Sequence, residues 1–177
     1  MATDARATSP SVDELIAKQA ITDVIYTYCR ALDRMDWDLA HTVWHDDGTA
    51  DYGANMFQGT GAGFLDWVWT QHAGMMGHSH QITNVLVSVD GDRAASEAYV
   101  TAALRLEADA NAQATEIVSR GRYVDTWSRR DGRWAIDHRT FVEDFTTTYQ
   151  ATAMEPADAA QRSSRRDRDD PSYAALG

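Results

Sequence analysis

Two short segments, far apart in the chain, carry the side chains with the clearest capacity for chemistry. Asp33 closes an amphipathic helix that contains Tyr28, and His80 opens a strand that continues to Asn84. An imidazole titrates near neutral pH, and a neighbouring carboxylate fixes its tautomer and stabilises the cation that it forms. If the two side chains meet in a pocket, they can take a proton from carbon without a cofactor. The pair therefore predicts an enzyme.

Each of these residues also has a purely structural interpretation. Asp33 could simply be part of a polar, solvated C-terminal end of the helix, although a carboxylate there opposes the helix dipole. His80 could be a core histidine, and His78, two residues earlier on the same strand, is an alternative base. The catalytic hypothesis depends on Asp33 and His80 acting together.

Hydrophobic patterning predicts the elements that must position these residues. Apolar residues at helical spacing predict helices over residues 12–35, 37–45 and 61–72. Alternating patterns predict strands over residues 49–53, 56–59, 79–89, 94–106, 117–128 and 134–145. Segments 73–77 and 108–115 are predicted as loops, with hairpin turns at 90–92 and 130–133. Three helices before a curled antiparallel sheet predict an α+β domain.

Length and composition predict one globular domain, residues 12–150, between a disordered leader, 1–11, and a polar tail, 151–177. The mixed charges of the tail favour a solvated segment, although residues 171–176 could dock on the body or on a neighbouring subunit. A net charge of −11 disfavours binding to nucleic acid or anionic membranes. With Cys29 as the single cysteine and no secretory or membrane-spanning pattern, we expect a cytoplasmic protein.

No motif predicts a metal ion or an organic cofactor. Two histidine pairs have spacings that suit a metal, His78 with His80 and His41 with His45, but neither has a recognisable third ligand. The glycines of segment 59–63 lack the lysine and the strand context of a phosphate loop, so a turn is the better interpretation. Cys29, inside the first helix, is expected to be a buried apolar residue and not a nucleophile. The sequence thus predicts chemistry without a cofactor.

Aromatic residues indicate where a ligand would lie. Five tryptophans fall in predicted elements and are expected in the core or around a cavity: Trp44, Trp67, Trp69, Trp127 and Trp134. Rigid aromatic side chains line pockets for flat, ring-containing ligands well.

Several local motifs together resemble the SnoaL-like branch of the nuclear transport factor 2-like (cystatin-like) superfamily, over roughly residues 12–149. The motifs are Ala31-Leu32-Asp33, Trp37-Asp38-Leu39-Ala40, Val43-Trp44-His45-Asp46-Asp47, His80-x-x-x-Asn84, Asp90-Gly91-Asp92 and Asp131-Gly132-Arg133-Trp134. The resemblance implies a cone-shaped α+β barrel, in which three N-terminal helices wrap a curved mixed or antiparallel sheet. It also implies a homo-oligomer, either a trimer or a dimer.

Three cofactor-free lyases of that superfamily offer chemical comparisons: hexachlorocyclohexane dehydrochlorinase, scytalone dehydratase and bile acid 7α-dehydratase. The resemblance implies that His80 is the general base, that Asp33 orients it, and that Tyr28 and Tyr52 donate to a carbonyl or a departing oxygen. Substrate contacts are expected from Arg139, Trp44 and Phe141, although a structural salt bridge is an equal alternative for Arg139. The dehydrochlorinase has a lysine at the position of Tyr28, which favours dehydration here over loss of halide.

The expected function is therefore a lyase that acts on a hydrophobic cyclic or aromatic molecule by elimination. Some relatives cleave a carbon–carbon bond with loss of formaldehyde, so the expected function includes that reaction as well. An isomerase or polyketide-cyclase-type enzyme could use the same two residues. A non-catalytic binding protein, or a subunit similar to the dioxygenase β-subunit, is the alternative outside enzymes, because one fold hosts many functions.

Overall fold

Helices and short strands make up the first half of the chain, and four long strands follow. The computed structural model describes residues 9–111, 113–152 and 164–176. Helices α1 to α4 span Val12–Arg34, Trp37–His41, Gly61–Ala73 and Pro171–Leu176. Strands β1 to β6 span Trp44–Asp51, Gln58–Thr60, Met75–Asp90, Arg93–Leu106, Gln113–Arg130 and Arg133–Thr152. Most of the predicted leader, residues 1–8, lies outside the described residues. None of the described helices is long and apolar enough to cross a membrane.

The strands form one curved sheet in the order β2-β1-β6-β5-β4-β3. β1 pairs with β6 in parallel, and the other neighbours are antiparallel, so the sheet is mixed. In the described part of the chain, the edge strands β2 and β3 do not pair with each other, so the sheet is open and does not close into a barrel. The α+β class and the helix-wrapped curved sheet predicted from the sequence are confirmed.

Two irregularities shape the strands that face the helices. The pairing of β3 with β4 shifts between Thr83 and Leu86, where Asn84 takes a left-handed φ of 49°, a conformation that asparagine tolerates better than most residues. On β5, the register shifts next to Gly121. A Cβ there would lie 2.8 Å from the Phe141 ring and would also meet the backbone of β6. Glycine therefore lets Phe141 lie close against β5.

The first helix is bounded by clear caps and carries one buried stripe. The Ser11 side chain accepts from Glu14 N at 3.1 Å, and the helix ends at Met35, which has a left-handed φ of 52°. The buried stripe consists of Ala17, Ile21, Ile25, Tyr28, Cys29, Ala31 and Leu32. This stripe packs α1 on the sheet, so that Asp33, one residue beyond Leu32, comes to lie beside β3.

Several predicted boundaries are wrong for a common reason. Helix α2 ends at His41, and the segment predicted as its end, Asp46-Asp47-Gly48, lies inside β1. The predicted loop 73–77 is mostly the start of β3, and β6 continues beyond residue 145 to Thr152. The second helix ends early because β1 begins at Trp44 and pairs with β6, which lies far along the chain. At the outer ends of β3 and β6, pairing with the other strand of the hairpin extends the ladder over residues whose local pattern does not read as strand.

The C-terminal segment, residues 164–176, contacts the end of α1 and the start of α2. Arg168 Nη2 lies 3.0 Å from Asp36 Oδ1, and the Tyr173 hydroxyl donates to Asp36 Oδ2 at 2.6 Å. The Arg30 guanidinium lies 4.5 Å from the centre of the Tyr173 ring. Of the alternatives for residues 171–176, the structure therefore shows docking on the body. The predicted tail at 153–163 lies outside the described residues.

Candidate active site

Asp33 and His80 meet at the junction of α1 and β3. Asp33 Oδ1 lies 2.7 Å from His80 Nδ1, and both carboxylate oxygens accept from the His80 backbone N–H, at 3.1 and 2.9 Å. An ionised carboxylate can only accept, so the His80 ring donates through Nδ1, and in the neutral form of the ring Nε2 carries the lone pair. Asp33 therefore fixes the position and the tautomer of His80 through three contacts. Nε2 has no hydrogen-bond partner among the described residues.

His80 forms part of the wall of a cavity of about 230 Å³ between the helices and the concave face of the sheet. The lining is mostly apolar and aromatic, and it consists of Tyr28, Leu32, Tyr52, Met56, Phe64, Trp67, Val68, Gln71, His72, Met75, His80, Val100, Ala102, Leu104, Ser119, Tyr123 and Phe141. Asp33 is not part of this wall, so it contacts His80 on the side of the ring away from the cavity lining. Few polar groups in an apolar pocket are typical of small-molecule sites.

Tyr28 and Tyr52 form a hydrogen-bonded pair in the same cavity wall. Their hydroxyl oxygens lie 3.0 Å apart, and both side chains are buried. The Tyr52 ring stacks on Phe64, with centroids 4.2 Å apart, and on Phe141 at 5.4 Å. Burial raises the pKa of Tyr28 and of Tyr52 well above the usual value of 10.0, so both phenols stay protonated.

Arg139 and Trp44 lie behind this wall and do not line the cavity. Both side chains are buried, and Arg139 makes a two-pronged ion pair with Asp125, with N–O distances of 2.8 Å. Its guanidinium also lies 4.3 Å from the centre of the Tyr28 ring and 4.0 Å from that of Tyr123. Burial alone would lower the pKa of Arg139, but the Asp125 carboxylate outweighs burial and raises that pKa.

Of the three residues expected to contact substrate, the structure therefore brings only Phe141 to the cavity. For Arg139, the described geometry matches the salt-bridge alternative. Trp44 packs under the first turn of α3, where a Cβ on Gly61 would lie 2.7 Å from its ring. The sequence pattern gave no signal to distinguish a buried arginine with a carboxylate partner from one that faces a ligand.

Two of the histidines considered as an alternative base or as metal ligands bond to backbone carbonyl groups instead. His78 Nε2 lies 2.8 Å from the Leu32 carbonyl oxygen, which ties this side chain to the end of α1. Of the two histidines that β3 carries at 78 and 80, only His80 lines the cavity. His45 lies in β1, with Nε2 3.0 Å from the Ser128 carbonyl oxygen, so it does not share a helix face with His41. Among the described residues, no group of three or more His, Cys, Asp or Glu side chains could hold a metal ion.

Sequence reasoning missed four polar residues of the cavity wall: Gln71, His72, Ser119 and Tyr123. His72 lies in the last turn of α3 and is 4% exposed, and Tyr123 is buried on β5. Tyr123 alternates with Asp125 and Trp127 on the inward face of its strand, a pattern that could have identified it. His72 gave no comparable signal, because a histidine at a helix end is usually exposed.

Comparisons with known proteins agree with this fold. A Novosphingobium aromaticivorans protein described as a putative scytalone dehydratase is 23% identical, with a TM-score of 0.67, covering 83% of this chain and 97% of that one. Hexachlorocyclohexane dehydrochlorinase type 3 from Novosphingobium barchaimii LL02 is 21% identical, with a TM-score of 0.68 and coverages of 82% and 98%. The Kfla4162 protein from Kribbella flavida is 19% identical, with a TM-score of 0.66 and coverages of 75% and 94%. At these identities, the likeness shows the fold alone.

A search of curated proteins by sequence found no match. The profile of the SnoaL-like domain, in contrast, matches residues 13–140. This stretch contains nearly all of α1, the whole of β3 and most of the strands that carry the cavity wall. The chain therefore belongs to the SnoaL-like domain family.

Proposed function

We propose that this protein is a cofactor-independent lyase that eliminates water, or a comparable small group, from a hydrophobic cyclic or aromatic compound. The observation that carries the proposal is the 2.7 Å contact between His80 Nδ1 and Asp33 Oδ1 at the wall of an apolar cavity. Membership of the SnoaL-like family, and a fold shared with a dehydrochlorinase, support a small-molecule enzyme of lyase or isomerase type at a coarser level.

His80 is the proposed general base. Its Nε2 takes a proton from the carbon next to the one that bears the leaving group, and the electrons of that C–H bond begin the new double bond. The resulting imidazolium is stabilised by Asp33, whose carboxylate already accepts from Nδ1. This attraction is stronger in an apolar cavity than in water, because the surrounding dielectric constant is low.

Tyr28 and Tyr52 are the proposed hydrogen-bond donors to a carbonyl or to the departing oxygen. Because burial raises the pKa of each phenol, a full proton transfer from either would leave a costly buried phenolate. The His80 imidazolium is therefore the better final proton donor. The hydroxyl leaves with the electrons of its carbon–oxygen bond and takes the proton from His80, which releases water and restores the neutral base.

The cavity limits the size of the substrate. An apolar cavity of about 150 Å³ in another protein accommodates benzene. The volume of about 230 Å³ in this protein thus suits one substituted ring or a small bicyclic compound. Phe141, Phe64 and Trp67 are the proposed contacts to the faces and edges of that ring.

A deuterium experiment tests this function on many candidate substrates at once. The protein is incubated in D₂O with a panel of cyclic β-hydroxyketones and ring alcohols, and the products are followed by mass spectrometry and proton NMR. We expect loss of water from at least one compound, and no such product with His80→Ala. Neither product formation nor deuterium uptake by the wild type, across the panel, would contradict the proposal and favour a binding protein.

The same experiment separates the other reactions. An isomerase or cyclase with this dyad would conserve the mass of its substrate apart from deuterium, and the Tyr28–Tyr52 hydroxyls could equally hold the enolate of such a reaction. Carbon–carbon cleavage would release formaldehyde. A non-catalytic subunit similar to the dioxygenase β-subunit would show no turnover and would co-purify with a larger partner.

We further propose a homo-oligomer. Six large apolar side chains on strands β3 to β6 are exposed: Met76, Leu86, Tyr99, Val124, Phe145 and Tyr149. Exposed apolar residues on neighbouring strands are typical of an interaction surface. Light scattering after size-exclusion chromatography distinguishes a trimer or a dimer from a monomer, and a monomer at all concentrations would contradict this part of the proposal.

A further inference from the structure

His72 is a buried imidazole that the elimination does not use. It lies in the last turn of α3, its side chain forms part of the cavity wall, and it is 4% exposed. Its Nδ1 is buried without a hydrogen-bond partner, and neither ring nitrogen bonds to any of the described side chains or backbone groups. The backbone of the residue is fixed, because Arg166 Nη1 donates to its carbonyl oxygen at 2.8 Å.

The surroundings of His72 keep its ring uncharged. Burial, followed by the neighbouring His78, His80 and Arg166, lowers the pKa of His72 to about 2. The ring centroids of His72 and His78 are 4.1 Å apart, and those of His72 and His80 are 5.7 Å apart. A neutral imidazole offers one N–H donor and one acceptor nitrogen. Leaving such groups unpaired costs free energy, which a ligand with a matching polar atom would recover.

The rest of the wall indicates the charge of that ligand. No Lys, Arg, Asp or Glu occurs among the described residues that line the cavity, and Arg139 lies behind the tyrosines, paired with Asp125. A carboxylate or phosphate would therefore enter without a compensating cation, at a high desolvation cost. A hydroxyl or carbonyl oxygen would meet His72 without that cost.

We propose that His72 is a specificity-determining residue that hydrogen-bonds a second, uncharged oxygen substituent on the ring from which His80 removes a proton. The proposal rests on the proposed function, since it assumes that the cavity holds the substrate. It narrows the substrate class to uncharged ring compounds with at least two oxygen substituents, one near the Tyr28–Tyr52 hydroxyls and one at His72. The 5.7 Å separation of the His72 and His80 rings allows a single ring to contact both.

Binding of three simple probes tests this inference independently of turnover. Phenol, resorcinol and 3-hydroxybenzoate are titrated into the full-length protein by isothermal titration calorimetry. We expect resorcinol to bind the wild type about tenfold more tightly than phenol, as one additional hydrogen bond in a buried site provides. We expect 3-hydroxybenzoate to bind more weakly than resorcinol. Because no reaction is needed, failure of the lyase proposal leaves this result interpretable.

His72→Phe keeps an aromatic ring and removes both polar nitrogens, so we expect it to abolish the preference for resorcinol over phenol. The matched variant His78→Phe changes the neighbouring ring, which bonds to the Leu32 carbonyl and does not line the cavity, and it should retain the preference. A preference that survives His72→Phe would overturn the proposal, as would equal binding, or no binding, of both probes to the wild type.

A measurement on the wild type covers the case in which His72→Phe does not fold. With ¹⁵N-labelled histidine, resorcinol should shift the ring-nitrogen resonances of His72 more than phenol does. Equal shifts with both probes would show that His72 contributes packing alone.

Discussion

Asp33 and Asp125 both pair with a basic side chain, but only the Asp33 pair has access to the cavity. Asp33 and His80 have side chains that are 13% and 6% exposed, and His80 forms part of the cavity wall. Asp125 and Arg139 are completely buried. Arg139 Nε and Nη2 each donate to one Asp125 carboxylate oxygen, and Nη1 has no hydrogen-bond partner among the described residues. The first pair contains an imidazole that lines the cavity, whereas the second contains a permanent cation that does not.

This difference separates a chemical role from a supporting role. A side chain that takes up and returns a proton must itself titrate near neutral pH, and it must have access to the ligand. Arg139 has neither property, but it lies against the rings of Tyr28 and Tyr123 and so fixes the wall in which the tyrosine hydroxyls lie. Substitutions in the Arg139 pair should therefore affect stability, and those in the His80 pair should affect turnover.

The largest effect is expected from Arg139→Met, which leaves the Asp125 carboxylate buried and unpaired. Loss of one partner of a buried ion pair typically costs about 3–5 kcal/mol, a large share of the stability of a single domain. The double variant Arg139→Met/Asp125→Leu removes both charges and should recover much of this loss. Urea denaturation measures both free energies of unfolding. A single variant within about 1 kcal/mol of the wild type would show that the pair is not a main support.

His80→Ala should change turnover far more than stability. Removal of a general base typically lowers the rate by about 10²–10⁴-fold. The free energy of unfolding should fall by only about 1 kcal/mol, because Asp33 can still accept from the backbone N–H of residue 80. His41→Ala is the matched control, since His41 is exposed on α2 and remote from the cavity lining. Similar kcat values for the two variants would contradict the assignment of His80.

Asp33→Asn should lower turnover somewhat less, by about 10–10³-fold. The amide oxygen can still accept from the His80 backbone, but the amide no longer favours the tautomer with the proton on Nδ1. Asp33→Ala removes the backbone contact as well and should be the less stable of the two variants. Kinetics together with thermal melting separate these effects. Full activity in Asp33→Asn would show that the carboxylate charge is not needed.

The smallest effect concerns stability at acid pH. The pKa of His72 is about 2 in the folded protein and about 6.5 in an unfolded chain. Below about pH 6.5 the unfolded state therefore binds a proton that the folded state does not, so stability falls as the pH falls, by up to about 1.4 kcal/mol per pH unit. The titratable and charged groups around His72 are His78, His80 and Arg166.

Urea denaturation between about pH 4.5 and 7 tests whether the free energy of unfolding falls as the pH falls. The curve of His72→Phe should be flatter than that of the wild type, while His41→Phe should follow the wild-type slope. His78→Phe should have an intermediate effect, because burial also lowers the pKa of His78. Parallel curves for His72→Phe and the wild type would contradict a neutral buried His72.

Much of the fold was predictable because its signals are local. The Ser11 cap and the apolar stripe identified α1, and the Asp-Gly turns with alternating residues identified both long hairpins. These features depend on residues a few positions apart, so they can be recognised without knowing the rest of the chain. The predicted helix over 37–45 begins at Trp37 as expected, but its predicted end was wrong because β1 begins at Trp44 and pairs in parallel with β6, about ninety residues away.

The first three helices, the two long hairpins, and a carboxylate and an imidazole able to form a catalytic pair were all recognisable from the sequence. Which groups meet became visible only in the folded chain. The tertiary structure placed Asp33 against His80, tied His78 to Leu32, enclosed Arg139 with Asp125, and brought His72 into the cavity wall. The physical reason is that the direction and burial of a side chain depend on contacts between elements distant in sequence, and local patterns do not encode those contacts.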